Sequence, residues 1–314
     1  IERLVDHPEQ LPLLSSCCPG WVKFAEHFYP EFLPYLSSTK SPHAMCGALT
    51  KSWYANKYNV QPEKIINVAI MPCTAKKYEA ARPEMECDGF RNVDYVLTTR
   101  ELGRMIRQVG LDFTNLPDEE YDEPFDQYSG AGMIFGATGG VLEAAVRTAH
   151  KLITGKEMLV PDYEDARGQR GLKYGTATFG DKTITIAIAH GTGNAKKALD
   201  MFKSGEKKFD YIEVMACPGG CVGGGGQPIF GSRDYKKISL DYRHNRAETL
   251  YNIERGKEIR QSHENPRIKQ IYEEFLGEPL SEVSKTYLHT SFIPRGQHPY
   301  LYTEKPYKGF NEKN

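Results

Sequence analysis

The chain has 314 residues, 39% of them hydrophobic, which is enough apolar material for one large or two ordinary globular domains. Its 40 basic and 41 acidic residues leave a formal charge of -1, so no global field draws in nucleic acid or an anionic membrane. The longest apolar runs, Ile65 to Met71 and Ile184 to Ala189, fall far short of the roughly 20 residues that carry a helix across a bilayer, so no membrane insertion is expected.

Ile1 opens the sequence with no basic segment leading into an apolar stretch, and no secretory leader is expected. Seven cysteines, two of them adjacent, suit reduced thiols or metal ligands in a cytoplasmic, reducing location better than a disulfide framework. Ser15-Ser16-Cys17-Cys18-Pro19-Gly20-Trp21 leads into a helix with Trp21, Phe24, Ala25 and Phe28 on its apolar face. Pro19 suits the first helical turn, which sets Cys18 at the positive end of the helix dipole. The run from Ile65 to Met71 predicts a strand that delivers Pro72-Cys73-Thr74-Ala75-Lys76-Lys77-Tyr78-Glu79 into the crevice beyond its carboxyl end, where open α/β sheets bind ligands. Tyr95-Val96-Leu97 predicts another strand, and the capping-box pattern Thr98-Thr99-Arg100-Glu101 opens a helix with Leu102, Met105, Ile106 and Val109 on one face. Thr183 to Ala189 switches at His190-Gly191-Thr192-Gly193-Asn194 into a helix around Ala198, Leu199 and Phe202. Tyr211 to Met215 forms a further strand ending in Ala216-Cys217-Pro218-Gly219-Gly220-Cys221, followed by a turn rich in glycine through Gly226. Strands of this kind, buried on both faces, predict an α/β fold with parallel sheets flanked by helices. Beyond about residue 232 the sequence turns charged, aromatic and poorly periodic, so residues 1–232 are expected to form the body and 233–314 an irregular tail packed on it.

Four cysteines, Cys18, Cys73, Cys217 and Cys221, stand at strand or helix ends and offer the four soft thiolate donors that an iron-sulfur cube requires. Glycines around Cys221 let the main chain approach a bulky inorganic core and turn its N–H groups toward sulfur. A zinc site is the plainer alternative for four cysteines, but zinc modules pair their ligands two to four residues apart, whereas Cys18 and Cys73 are isolated. A phosphate loop is disfavoured because no Gly-Lys-Ser/Thr follows the glycine run. Cys46 and Cys87 have no partner pattern and read as ordinary thiols; His190 and His263 read as structural histidines.

Ser-Cys-Cys-Pro-Gly-Trp, then Met-Pro-Cys-x-x-Lys-x-x-Glu, then Glu-x-Met-Ala-Cys-Pro-Gly-Gly-Cys with its glycine run resemble, in order, the three signatures of the FeFe hydrogenases. The likeness extends through Thr98-Thr99-Arg100-Glu101-Leu102 and Gly136-Ala137-Thr138-Gly139-Gly140. It implies two lobes with the cluster in the cleft between them, and a tail similar to the family's small subunit wrapping the body. It implies a 4Fe-4S cube on Cys18, Cys73, Cys217 and Cys221, joined through Cys221 to a two-iron subcluster carrying CO, CN and an azadithiolate, together the H-cluster. By the same resemblance Cys17 passes protons, Lys76 bonds a cyanide, Met71, Met215 and Phe135 line the two-iron pocket, and Ser37 and Glu79 lie on or beside the proton path. His43 stands where hydrogen-producing relatives often carry glutamine, which implies altered hydrogen bonding to the cofactor. The implied reaction interconverts H2 with protons and electrons. The implied partners are a ferredoxin or NAD(P)H-linked flavoprotein subunits, together with maturation proteins. The rivals are a sensory hydrogenase-like protein and an assembly factor similar to the family, which keeps the four cube cysteines but lacks the thiol at the position of Cys17.

Overall fold

A computed structural model describes residues 1–158, 167–168, 170–229 and 241–296. The chain begins with α1 (Glu2–Val5) and the two-residue strand β1 (Leu13–Leu14), followed by α2 (Pro19–Phe28), α3 (Pro42–Leu49) and α4 (Ala55–Lys57). A second group contains β2 (Val68–Met71), α5 (Lys76–Ala80), the hairpin β3 (Glu86–Cys87) and β4 (Phe90–Arg91), then β5 (Tyr95–Thr98) and α6 (Thr99–Gln108). After α7 (Gly130–Ile134) and α8 (Gly140–Thr154) come β6 (Leu172–Phe179), β7 (Lys182–His190), α9 (Thr192–Lys203) and β8 (Tyr211–Met215). The last described segment holds α10 (Asp241–Arg255), α11 (Pro266–Ile271) and α12 (Glu282–Leu288).

Two sheets carry the cysteines. One has four strands in the order β1-β8-β7-β6, with β8 parallel to both β1 and β7, and β6 antiparallel at the edge. On one face of it Trp21 and Ala25 of α2 and Leu199 of α9 pack with Leu14, Ile212 and Val214; on the other, Leu142 and Val146 of α8 pack with Phe179, Ile186 and Ile188. The run Ile186 to Ala189 is buried throughout, as a strand covered on both sides requires.

The second sheet is the parallel pair β2 and β5, and here the expectation of burial on both faces fails. Val68 and Ile70 are exposed, as are Tyr95 of β5 and Met105 on the apolar side of α6, because nothing among the described residues packs over this side. The strand also starts at Val68 rather than Ile65. The Asn67 amide donates to the carbonyls of Gly47 at 3.2 Å and Asn92 at 2.7 Å, which ties the preceding residues to α3 instead. The capping box forms as the sequence predicts: Glu101 N–H donates to Thr98 Oγ1 at 3.2 Å and Thr98 N–H to the Glu101 carboxylate at 2.8 Å.

The segment read as irregular is built of the 15-residue α10 and two shorter helices separated by loops, and charge pairs help fasten it to the body. Arg147 of α8, wholly buried, reaches Glu254 of α10 at 2.9 Å, and Arg260 grips the same carboxylate at 2.7 and 2.8 Å. The boundary expected near residue 232 lies outside the described residues. No helix among those described is long and apolar enough to cross a membrane.

Candidate metal centre

Three of the four candidate ligand segments leave the carboxyl ends of parallel strands. β1 runs on through Ser15 and Ser16 to Cys17 and Cys18, β2 ends two residues before Cys73, and β8 ends two residues before Cys217. Cys18 is the N-cap of α2, with Pro19 in the first turn, and its sulfur accepts the Ala216 N–H at 3.3 Å. The amides of Lys76 and Ala75 are directed at the Cys73 sulfur, and that of Gly225 at Cys217.

The glycine turn stitches the two sheets together. Gly226 N–H donates to the Pro72 carbonyl at 2.8 Å and Arg100 N–H to the Gly226 carbonyl at 3.1 Å, which fixes the turn to the β2 side. Thr138 N–H donates to Gly219 O at 3.1 Å and Val222 N–H to Gly136 O at 3.0 Å, which fixes it to the segment leading into α8. Gly220, at φ 91°, occupies the left-handed region, and a Cβ there would sit 2.7 Å from the Thr138 nitrogen. His190, at the end of β7, accepts the Gly219 N–H on Nδ1 at 3.1 Å, a structural role as the sequence predicts.

Burial pushes the thiols of Cys17, Cys73, Cys217 and Cys221 up, and the charges of neighbouring cysteines push them further. Cys17 rises to about 12 and Cys217 to about 11. Each of Cys73, Cys217 and Cys221 feels Cys18, which places all four in one electrostatic neighbourhood. Thiols raised in this way give up their protons when a bound cation takes their place. Zinc-sulfur bonds of about 2.3 Å would draw ligand sulfurs to within about 4 Å of one another. No three cysteine sulfurs among the described residues lie within 4.8 Å of each other, so they are not drawn together as ligands of a single ion would be. Soft donors, backbone N–H groups aimed at sulfur and a glycine turn with no side-chain bulk therefore suit an iron-sulfur cube.

Beside the thiols lies a buried polar cluster. Lys76 Nζ donates to Glu79 Oε2 at 2.7 Å and to the Cys17 carbonyl at 3.1 Å. The same Glu79 oxygen accepts Ser41 Oγ at 2.9 Å and lies 3.1 Å from His43 Nδ1. His43 Nε2 is buried with no hydrogen-bond partner among the described residues, the kind of atom that a bound group satisfies. Burial alone would raise the Glu79 carboxyl, but the His43 hydrogen bond and the Lys76 charge outweigh it and hold it below its ordinary value. The paired carboxylate therefore stabilises the fold fully above the ordinary value of 4.5, and the contribution disappears as the pH falls through the lower folded value. Glu79→Gln leaves Lys76 buried without its counter-charge and should cost about 3 kcal/mol at pH 7. The urea midpoint of the cluster-free chain measures this, and the gap to the unaltered chain should narrow at pH 4.

Met71 ends β2 partly buried, Met215 ends β8 fully buried, and Phe135 closes α7 directly before Gly136. Ser37 is held by its N–H to the Leu14 carbonyl at 2.8 Å, but its hydroxyl donates to Thr39 Oγ1 at 3.1 Å rather than to Cys17 or Glu79. Cys46 is exposed and Cys87 buried. His263 contacts Thr148 at 3.3 Å and Glu157 at 3.1 Å, remote in sequence from every candidate ligand. Sequence reasoning gave no role to Glu213, which is completely buried on β8. It accepts the N–H groups of Gly139 at 2.5 Å and Leu142 at 2.7 Å at the start of α8, while burial lifts its carboxyl to about 7. A lone carboxylate within the apolar run Ile212 to Met215 was the available signal.

Residues 1–225 match the family described as iron only hydrogenase large subunit, C-terminal domain, and residues 240–295 match the iron hydrogenase small subunit. The chain is 49% identical over 286 residues to the NADP-reducing hydrogenase subunit HndD of Solidesulfovibrio fructosivorans, covering 91% of this chain and 48% of the relative. It is also 34% identical over 297 residues to the cytosolic Fe-S cluster assembly factor narfl of Xenopus tropicalis, covering 93% and 61% respectively. Among solved structures, an apo FeFe-hydrogenase variant from Chlamydomonas reinhardtii aligns with a TM-score of 0.80 at 38% identity, covering 94% of this chain and 80% of that one. The chain spans about half the length of the curated hydrogenases it matches.

Proposed function

The chain belongs to the iron-only hydrogenase family, and from that premise we propose that it is the H-cluster part of an active hydrogenase, interconverting H2 with protons and electrons. The observation that carries this reading is the fifth thiol: Cys17 lies partly buried beside the four-cysteine set, with the Lys76 ammonium on its main-chain carbonyl, and is the residue expected to separate an enzyme from an assembly factor.

Cys18, Cys73, Cys217 and Cys221 would hold the cube, and Cys221 would join it to the two-iron subcluster with its CO, CN and azadithiolate ligands. When bound, this cofactor supplies the irons at which H2 is made and split and a basic amine that exchanges protons with the protein. The amides of Ala216, Ala75, Lys76 and Gly225 stabilise thiolate charge and so set the potential at which electrons pass. Lys76 supplies a fixed cation to the anionic group, and Glu79 positions both Lys76 and His43. Met71, Met215 and Phe135 exclude water. Cys17 Sγ carries the proton, and Ser37 serves the path beyond it. A ferredoxin or NAD(P)H-linked flavoprotein subunits would exchange electrons with the cube, and maturation proteins would install the two-iron part. The free thiols among the described residues support a cytoplasmic setting, and the match of residues 240–295 to the small subunit supports residues 233–314 as a small-subunit-like wrap of the 1–232 body.

The 34% identity to an assembly factor supports a second reading, a chain that binds a cube and turns over no hydrogen. Infrared spectra of the matured chain distinguish the two. Carbon monoxide and cyanide stretches are expected. A chain that holds about four irons yet lacks those bands is a cube-binding protein only.

A further inference from the structure

An ammonium buried in a protein interior loses its hydration and is normally matched by a carboxylate. Lys51 pairs with Asp94 at 3.0 Å, Lys76 with Glu79 at 2.7 Å, and Arg82 with Glu26 at 2.6 Å. Lys40 departs from this pattern. It is 3% exposed and has no carboxylate partner among the described residues; its Nζ donates instead to Cys87 Sγ at 3.1 Å, and that thiol is 7% exposed. A side-chain nitrogen and a thiol sulfur, the two atoms that a covalent link between these side chains would join, are therefore held in direct contact within the protein interior.

Both partners are held from behind. Cys87 ends β3 at a tight hairpin whose tip, Asp88 and Gly89, has φ of 54° and 81°. Its sulfur lies 3.9 Å from the Thr286 carbonyl oxygen of α12. The Lys40 N–H donates to the Leu288 carbonyl at 2.8 Å, and Thr39 bridges to His289. A cavity of about 10 Å³ lined by Ser16, Thr39, Lys40, Ser41 and Glu79, among others, leaves room beside the lysine for a molecule about the size of water.

We propose that Lys40 and Cys87 form an oxidative modification site that closes, on exposure to dioxygen, into a covalent nitrogen-oxygen-sulfur bridge. The amine gives up one N–H hydrogen and the thiol its S–H hydrogen. One atom of dioxygen links nitrogen to sulfur, and the other leaves with both hydrogens as water. Nitrogen and sulfur are each oxidised by two electrons, which together reduce dioxygen by four. The bridge would tie the segment carrying Ser41, a hydrogen-bond donor to Glu79, to the β3–β4 hairpin. It does not depend on the hydrogenase reading.

Mass spectrometry of proteolytic fragments tests it, using the full chain purified without oxygen and then divided between anaerobic storage and air. In air, the fragments holding Lys40 and Cys87 should appear joined, about 14 Da heavier than their sum, and should separate on treatment with dithiothreitol. The Lys40→Arg chain, which keeps a cation but lacks the amine, should show no joined fragment. Unmodified fragments after air overturn the proposal, and so does oxygen added to Cys87 alone, about 16 or 32 Da. Infrared bands missing from the matured chain would count against the hydrogenase reading and leave this result untouched.

Discussion

A Cys17→Ala chain should keep its iron and lose about 10²–10⁴-fold of its hydrogen turnover, the range that a positioned proton donor supplies. The two adjacent cysteines have different surroundings. Cys18 caps α2 and receives the Ala216 amide on its sulfur, as a cube ligand would. Cys17 is partly buried, and the desolvation of its thiol, which lifts it to about 12, keeps a proton on it at neutral pH. Alanine removes the proton carrier without opening the cysteine set, and Lys76, which bonds the main-chain carbonyl of residue 17, retains its anchor. Iron per chain and hydrogen evolution with a chemical reductant would be measured together. Full turnover with intact iron would rule out Cys17 as the proton carrier, while loss of iron would show that it holds the cluster.

The parts of the fold legible in the sequence were those written in local pattern. Thr98-Thr99-Arg100-Glu101 specifies a helix start through two reciprocal hydrogen bonds within four residues, and both form. Apolar runs ending in Cys73 and Cys217 marked the strand ends, because a buried strand must be continuously apolar and must then break. Pairing across long separations was not legible. His43 and Glu79 are 36 residues apart and Lys40 and Cys87 are 47 apart, and neither pair leaves a periodic trace. Glu213 stood out only as an anomaly in an apolar strand, since the α8 amides that accommodate it come from residues more than 70 positions earlier. Nor could the sequence show that β2 would have one bare face, because an apolar run reports what a strand can bury against and not what covers it. The helices of the C-terminal segment were missed for a related reason: the few apolar residues that dock them, Ala247, Tyr251, Ile271, Leu276 and Leu288, are widely spaced, and charge pairs with Arg147 and Glu26 supply the rest of the attachment.

Gly224→Ala should destabilise the chain by about 3 kcal/mol, the upper part of the usual range for forcing atoms into a packed site, and should cut its iron content several-fold. The glycine is not required by its backbone angles: φ -63° and ψ 150° are open to any residue. What requires it is space. A Cβ at this position would collide with the Pro72 carbonyl group, its carbon only 3.0 Å away, and would stand 2.9 Å from the Cys221 carbonyl oxygen. Both obstacles are main chain, so no rotamer change relieves them. Pro72 adjoins Cys73, and Gly224 follows Cys221 by three residues, so any relief must move one of these two thiols away from the other. Gly225→Ala is the control, because its Cβ would meet only the Thr74 side chain, at 3.3 Å, and a threonine can rotate. That variant should stay within about 1 kcal/mol of the unaltered chain and keep its iron. Urea midpoints with iron analysis would decide the matter. Equal behaviour of the two variants would mean that the close approach of Pro72 to the glycine turn does not hold the cysteine set together.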